Sequence, residues 1–154
     1  LWSPHLLEKW ARAAIKLGPA GETQARSEIA LLRAAWPQAE QTPRDGLEAR
    51  LWLPDAADVH VLALAVSASA EGIVTVNAKD FPRHILAEED LERLDPDGLL
   101  HRCWQADPDG MAGAAADVLE TANRLAGGGW EMRALFKKAR LPRLAKALGR
   151  RAEG

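Results

Sequence analysis

The segment PDAADVHVLALAVSASAEGIVTVNAKDFP, Pro54 to Pro82, leaves this chain few ways to fold. From Asp55 to before Gly72, a stripe of Ala56, Val59, Leu62, Ala63, Val66 and Ala70 lies at helical spacing, while Val61, Leu64, Ala65 and Ala68 leave little polar surface elsewhere. Such a helix must be covered on more than one side. Gly72 then releases the chain into a β-branched run, Ile73 to Asn77, with the length of a buried parallel strand. An acid, Asp58, stands at the start of the helix, and Thr75, Asn77 and Asp80 close the strand. In open α/β sheets, chemistry gathers at the carboxyl ends of strands. Carboxylates with an amide oxygen suit a hard divalent cation.

Around this segment, short strands alternate with helices. Ser3 as N-cap, Pro4 at the first helical position and Gly18 as the stop delimit a helix in which Leu7, Trp10, Ala14 and Leu17 share a face. A second helix runs from Glu22 to Ala35 and ends at Trp36-Pro37. Gln38 to Thr42 reads as a short strand, Gly46 to Leu51 as a helical turn and Leu91 to Leu94 as the last strand, followed by a helix from Asp95-Pro96 toward Gln105. After Asp107-Pro108 only helices are expected: Met111 to Leu125, a break at Gly127-Gly128-Gly129, then Trp130 to Arg140 and Leu141 to Leu148, parted at Pro142. Residues 1–106 are thus an α/β domain built of βα units, and residues 107–154 a helical extension.

Composition narrows the classes. With 154 residues and 47% hydrophobic content, one principal core with an appendage is expected. Cys103 is the single cysteine, so no disulfide framework forms within one chain, which fits a reducing, cytoplasmic setting. The longest apolar run, Val59 to Ala70, is too short to span a bilayer. No GxGxxG or Walker loop offers a nucleotide site, and no helix-turn-helix pattern precedes the basic end. Charge is uneven along the chain. From Trp130 onward eight Lys and Arg face Glu131 and Glu153, a net of +6, and the overall −2 leaves −8 on the preceding residues. A basic end on an acidic body suits a polyanion or the body's own acidic surface; a solvated helical face is the plain alternative.

Each candidate residue has a structural role open to it as well. Asp58 and Asp55 both fall in a first helical turn, where an acid caps amides and favours the helix dipole. Glu8 precedes Arg12 by four residues, the spacing of a surface ion pair. Asn77 and Asp80 suit an Asx turn, and Thr75 suits a strand. His60, on a mostly apolar helix, reads as a packed side chain rather than a ligand.

The run DAADVHVLALAVSASAEGIVTVNAKDF resembles the core of PIN domains, the metal-dependent ribonuclease fold used by toxins of bacterial toxin–antitoxin pairs, with an acid opening a helix and a T-x-N-x-x-D-F-like strand end after it. LWSPHLLEKW is similar to the family's helix bearing a metal-site glutamate, which falls on Glu8, and RALFKKARLPRLAKAL is like the tail of one bacterial subgroup. The resemblance covers residues 1–100. It implies a three-layer α/β/α domain with a short parallel sheet, and Mg²⁺ or Mn²⁺ held by Asp58, Glu8 and Asp80, with Asn77 and Thr75 orienting a ligand or the scissile phosphate. It also implies an RNA substrate, an antitoxin partner and a homodimer. The chain starts at Leu1, after the point where the family has a central strand ending in a metal-ligating aspartate, so it reads as a fragment. A truncated, inactive module that dimerises or binds a protein partner is the alternative expectation.

Overall fold

A computed structural model describes residues 1–152; Glu153, counted above in the basic end, and Gly154 lie outside the described residues. Helix predominates, and the strands described form one parallel pair. The chain divides into two compact units, the first comprising Leu1–Ile73 with Asn77–Arg93, the second Val74–Val76 with the residues from Leu94 onward. Leu94 to Ala106, placed in the first domain by sequence, therefore belongs with the later helices.

In the first unit, α1 (Pro4–Ala14) begins as its sequence requires: Ser3 Oγ accepts from the Leu6 N–H at 3.2 Å and proline occupies the first turn. Its buried face is Leu7, Ala11 and Ala14. Leu17, expected on that face, is 84% exposed, and Trp10 is also exposed. The cause is a change of winding, because Ile15–Leu17 continues as a 3₁₀ turn and swings Leu17 off the α-helical stripe. The helix α2 (Gly21–Ala35) packs back on α1 through Ala25 and Ile29. Gly21 permits this tight return, since a Cβ there would collide with the Ala14 carbonyl oxygen.

The expected strand at Gln38–Thr42 is absent. Pro37–Ala39 forms a 3₁₀ turn instead, and Glu40 makes a single parallel bridge to Trp2, with Trp2 N–H donating to Ala39 O and Gln41 N–H to Trp2 O, both at 2.9 Å. A short helix α3 (Leu47–Arg50) follows, as the spacing suggested.

The core helix starts later than its pattern implies. Asp55 caps a 3₁₀ turn, Ala56–Asp58, through the Ala57 N–H at 2.8 Å, and α4 (Val59–Ser67) begins after it, leaving Ala56 in solvent. Val59, His60, Leu62, Ala63, Leu64 and Ala65 are all buried, so α4 is covered on several sides. It ends before Gly72 because Ser69 takes a left-handed conformation, φ 50°, and the Ala70 N–H closes onto Ala65 O at 2.9 Å. Around α4, Leu53, Ile73, Phe81, Ile85, Leu86 and Leu91 complete one apolar cluster.

The strands are shorter than their β-branched runs: β1 is Gly72–Val74 and β2 is Glu92–Leu94, with α5 (Arg83–Ala87) between them. Thr75 N–H makes the last ladder bond, to Leu94 O at 2.9 Å. Beyond Leu94 the partner strand stops, because Asp95 caps and Pro96 opens α6 (Pro96–Ala106). Val76 is left exposed.

In the second unit, α6, α7 (Pro108–Ala126), α8 (Met132–Lys138) and α9 (Pro142–Ala152) pack together around Ala115, Phe136, Leu144, Ala145 and Leu148. Asp107 does not merely separate regions, since it caps α7 through the Gly110 N–H at 2.9 Å, and α7 starts three residues before the expected Met111. Gly127, Gly128 and Gly129 all have positive φ, and Asn123 fastens the far side of this turn by accepting from Trp130 N–H at 2.7 Å and donating to Trp130 O at 3.1 Å. Among the described residues no helix is long and apolar enough to cross a membrane.

Candidate metal centre

The turn before α4 and the loop after β1 bring acids together. One carboxylate oxygen from each of Asp55, Asp58 and Asp80 lies within 4.8 Å of the others. Asp58 and Asp80, both expected, are part-buried, whereas Asp55, read chiefly as a cap, is exposed and joins the cluster while still capping. Asn77 holds Asp80 in place: its side-chain amide donates to Asp80 Oδ2 at 2.7 Å, and its Oδ1 accepts from the Asp80 N–H at 3.3 Å. The Asx turn and the ligand role of Asp80 are therefore compatible, since the turn orients the carboxylate.

Glu8 does not join this cluster. Its carboxylate is held by two guanidiniums, Arg26 at 3.0 Å and Arg12 at 2.9 Å, and the Arg26 hydrogen bond followed by that from Arg12 lowers its pKa to about 2. Arg26 reaches it from α2 and also pairs with Glu22, so the residue expected to bind a metal is the centre of an exposed four-residue charge network. Thr75 donates its backbone N–H to Leu94 O in the strand pair.

The residue of α1 that meets the acids is Lys9. Its ammonium donates to Ala57 O at 2.9 Å and to Asp58 Oδ1 at 3.0 Å, and lies 3.4 Å from His60 Nε2. Three acceptors match the three donors of a lysine. No local pattern in the sequence points to it, because Lys9 and Asp58 meet only when α1 packs beside the Ala56–Asp58 turn. His60 is 4% exposed and stacked on His5, with ring centroids 4.0 Å apart. Burial first, then the nearby His5 and Lys9 charges, push its pKa down, so it stays neutral. A neutral ring that accepts from Lys9 at Nε2 carries its proton on Nδ1, a buried atom without a partner. A cavity of about 380 Å³ is lined by His5, Thr42, Arg44, Glu48 and His60, among others, and by none of the three acids.

The donor set fits a hard divalent ion. All three side chains offer carboxylate oxygen, and each is oriented by a hydrogen bond within the protein, Asp55 from Ala57 N–H, Asp58 from Lys9 and Asp80 from Asn77. The Lys9 ammonium on Asp58 shows that this corner already favours a cation. Comparison with protein-family models, with curated proteins and with solved structures gave no match in any of the three.

Proposed function

We propose that the first unit binds Mg²⁺ or Mn²⁺ through Asp55, Asp58 and Asp80 and hydrolyses RNA phosphodiester bonds there, as the PIN-domain toxin ribonucleases it resembles do. The observation that carries this reading is the convergence of three carboxylate oxygens within 4.8 Å at a turn and a strand-end loop. A bound divalent ion supplies a more acidic water and charge stabilisation of the leaving oxygen. The chain's own residues hold and orient: Asp55 and Asp58 are fixed by the turn before α4, Asp80 by Asn77, and Lys9 neutralises part of the acidic charge. In this reading, an antitoxin segment would inhibit by placing an Arg or Lys among the acids, as Lys9 does from within, and the active species is a homodimer.

The test is Mn²⁺ titration by calorimetry together with cleavage of a structured RNA, on the parent chain, Asp58→Asn and Asp80→Asn. Saturable Mn²⁺ binding and metal-dependent cleavage, both lost in the two variants, are expected. Asn77→Ala should weaken Mn²⁺ binding by roughly tenfold or more, the usual effect of removing a group that orients a metal ligand. Binding unchanged by either aspartate substitution would end the proposal.

A second reading, a non-catalytic interaction module, is favoured by Trp10, Leu17, Leu31 and Trp36, large apolar side chains exposed between α1 and the end of α2. It predicts no Mn²⁺ binding and a concentration-dependent oligomer that Leu31→Glu disrupts.

A further inference from the structure

The second unit carries a charged surface of its own. Arg133, Lys137, Lys138 and Arg140 lie on or just after α8, and Arg143, Lys146, Arg150 and Arg151 lie on α9. All eight are exposed. Of these, Arg151 pairs with Asp109, and among the described residues no carboxylate pairs with the side chains of the other seven. Their spacing is ordered by the two helices. Arg133 and Lys137 are four residues apart on α8, and on α9 Arg143, Lys146 and Arg150 follow at three and four, so each helix sets cations on one face with Cβ atoms about 5 to 6 Å apart, and Arg140 follows the end of α8.

The rows are rigidly presented. Leu144, Ala145 and Leu148 bury the opposite side of α9 against Phe136 of α8 and Ala115 of α7. The start of α9 is fastened by the buried Asp97 carboxylate, which accepts from Arg143 N–H at 3.0 Å and Leu144 N–H at 3.1 Å. Seven like charges repel one another.

We infer that the α8–α9 hairpin is a sequence-independent binding surface for the phosphate backbone of a nucleic acid. A membrane surface fits less well, because an amphipathic helix that inserts into lipid needs its apolar face free, and here that face is the core of the unit. Five of the eight cations are arginines, whose planar forks suit phosphate oxygens. Base stacking is not the carrier: the two tryptophans at the margins already have their own cations over them, Lys138 at 6.0 Å from Trp130 and Arg151 at 5.9 Å from Trp104. Recognition then rests on phosphate, and it stands on the second unit alone, whether or not the three acids cleave RNA.

The experiment is fluorescence anisotropy of a labelled single-stranded oligoribonucleotide with the whole chain, in EDTA so that no metal-dependent cleavage intrudes, over a salt series. Lys146→Glu/Arg150→Glu should weaken binding roughly tenfold or more near 100 mM salt and flatten the dependence of log Kd on log salt by about 1.4, or 0.7 for each phosphate no longer neutralised. Lys137→Glu/Arg140→Glu, on the other row, should act similarly. Lys16→Glu/Arg44→Glu changes net charge equally in the first unit and should leave affinity within about twofold if binding is local to the hairpin. Circular dichroism on each variant confirms that it is folded. Equal weakening by the control pair, no weakening by either hairpin pair, or tighter capture by phosphatidylserine vesicles than by the oligoribonucleotide would each overturn the inference.

Discussion

The two units treat charge in opposite ways. In the first, opposite charges are matched: Lys9 meets Asp58, Ala57 O and His60, Arg26 and Arg12 hold Glu8 at the surface, and Arg50 meets Glu89 with both terminal guanidinium nitrogens, at 3.0 and 2.8 Å. In the second, among the described residues, the cations of α8 and α9 stand outward, and apart from Arg151 none is paired with a carboxylate, while the buried carboxylate of Asp97 secures a helix start. The difference follows from which charges the elements of each unit carry. In the first unit acids and bases stand on facing elements, Glu8 and Arg12 on α1 beside Glu22 and Arg26 on α2, whereas α8 and α9 carry cations with almost no acids among the described residues to meet them.

The contrast can be broken most strongly at the two cores. Leu62→Ala, at a fully buried position of α4, and Leu144→Ala, 1% exposed on α9, should each cost about 2 to 5 kcal/mol in urea unfolding. Two separate transitions, each shifted by one substitution, would show that the units unfold independently; a single transition moved by both would show one cooperative body.

Next in size is the buried cap. Asp97→Ala removes the acceptor of two N–H groups at the start of α9 and should cost about 1 to 2 kcal/mol, read by the same unfolding curves. Its effect belongs to the second unit, so a shift confined to any first-unit transition would contradict the assignment.

Lys9→Met sharpens the comparison at the acid cluster. The pair it removes is partly exposed, so stability should fall by at most about 1 kcal/mol. Mn²⁺ affinity should rise, because a competing cation is gone. The His60 resonance should also titrate higher, since Lys9 contributes to holding its pKa down. His60 sits below its unfolded value of 6.5, so its contribution to stability is present above pH 6.5 and is lost as pH falls through that range. Lys9→Met should lessen that loss.

The smallest effect is expected at Glu8. Its folded pKa of about 2 lies below the ordinary 4.5, so its contribution is complete above pH 4.5 and disappears as pH falls from 4.5 toward 2. Glu8→Gln should therefore flatten acid unfolding in that window and do little at neutral pH, and added salt should mimic it because the network is exposed. A large loss of Mn²⁺ binding in Glu8→Gln would instead return Glu8 to the metal centre.

Much of the architecture is legible in the residues alone. Ser3-Pro4, Asp95-Pro96 and the three glycines at 127–129 specify local conformations through their own chemistry, and each marks the boundary it announced. The all-round apolar character of α4 demands a covered helix, which it is. What is not legible there depends on partners distant in the chain. The run Ile73 to Asn77 has strand character throughout, but its pairing stops where Leu94 gives way to Asp95-Pro96. Glu8 and Lys9 are neighbours along the chain, and the family resemblance placed Glu8 at the metal site while its spacing to Arg12 suited an ion pair; the helix turns Glu8 toward Arg26 and Lys9 toward Asp58.

Local signals, then, settle where helices begin, which helix is enclosed, and that acids flank the α4–β1 segment, because capping, glycine conformation and hydrophobic period act within a few residues. Packing of α1 beside the Ala56–Asp58 turn and of α2 on α1 decides which charge meets which. The identity of an ion pair depends on through-space distances of a few ångströms between residues up to 49 positions apart, and no local pattern records those.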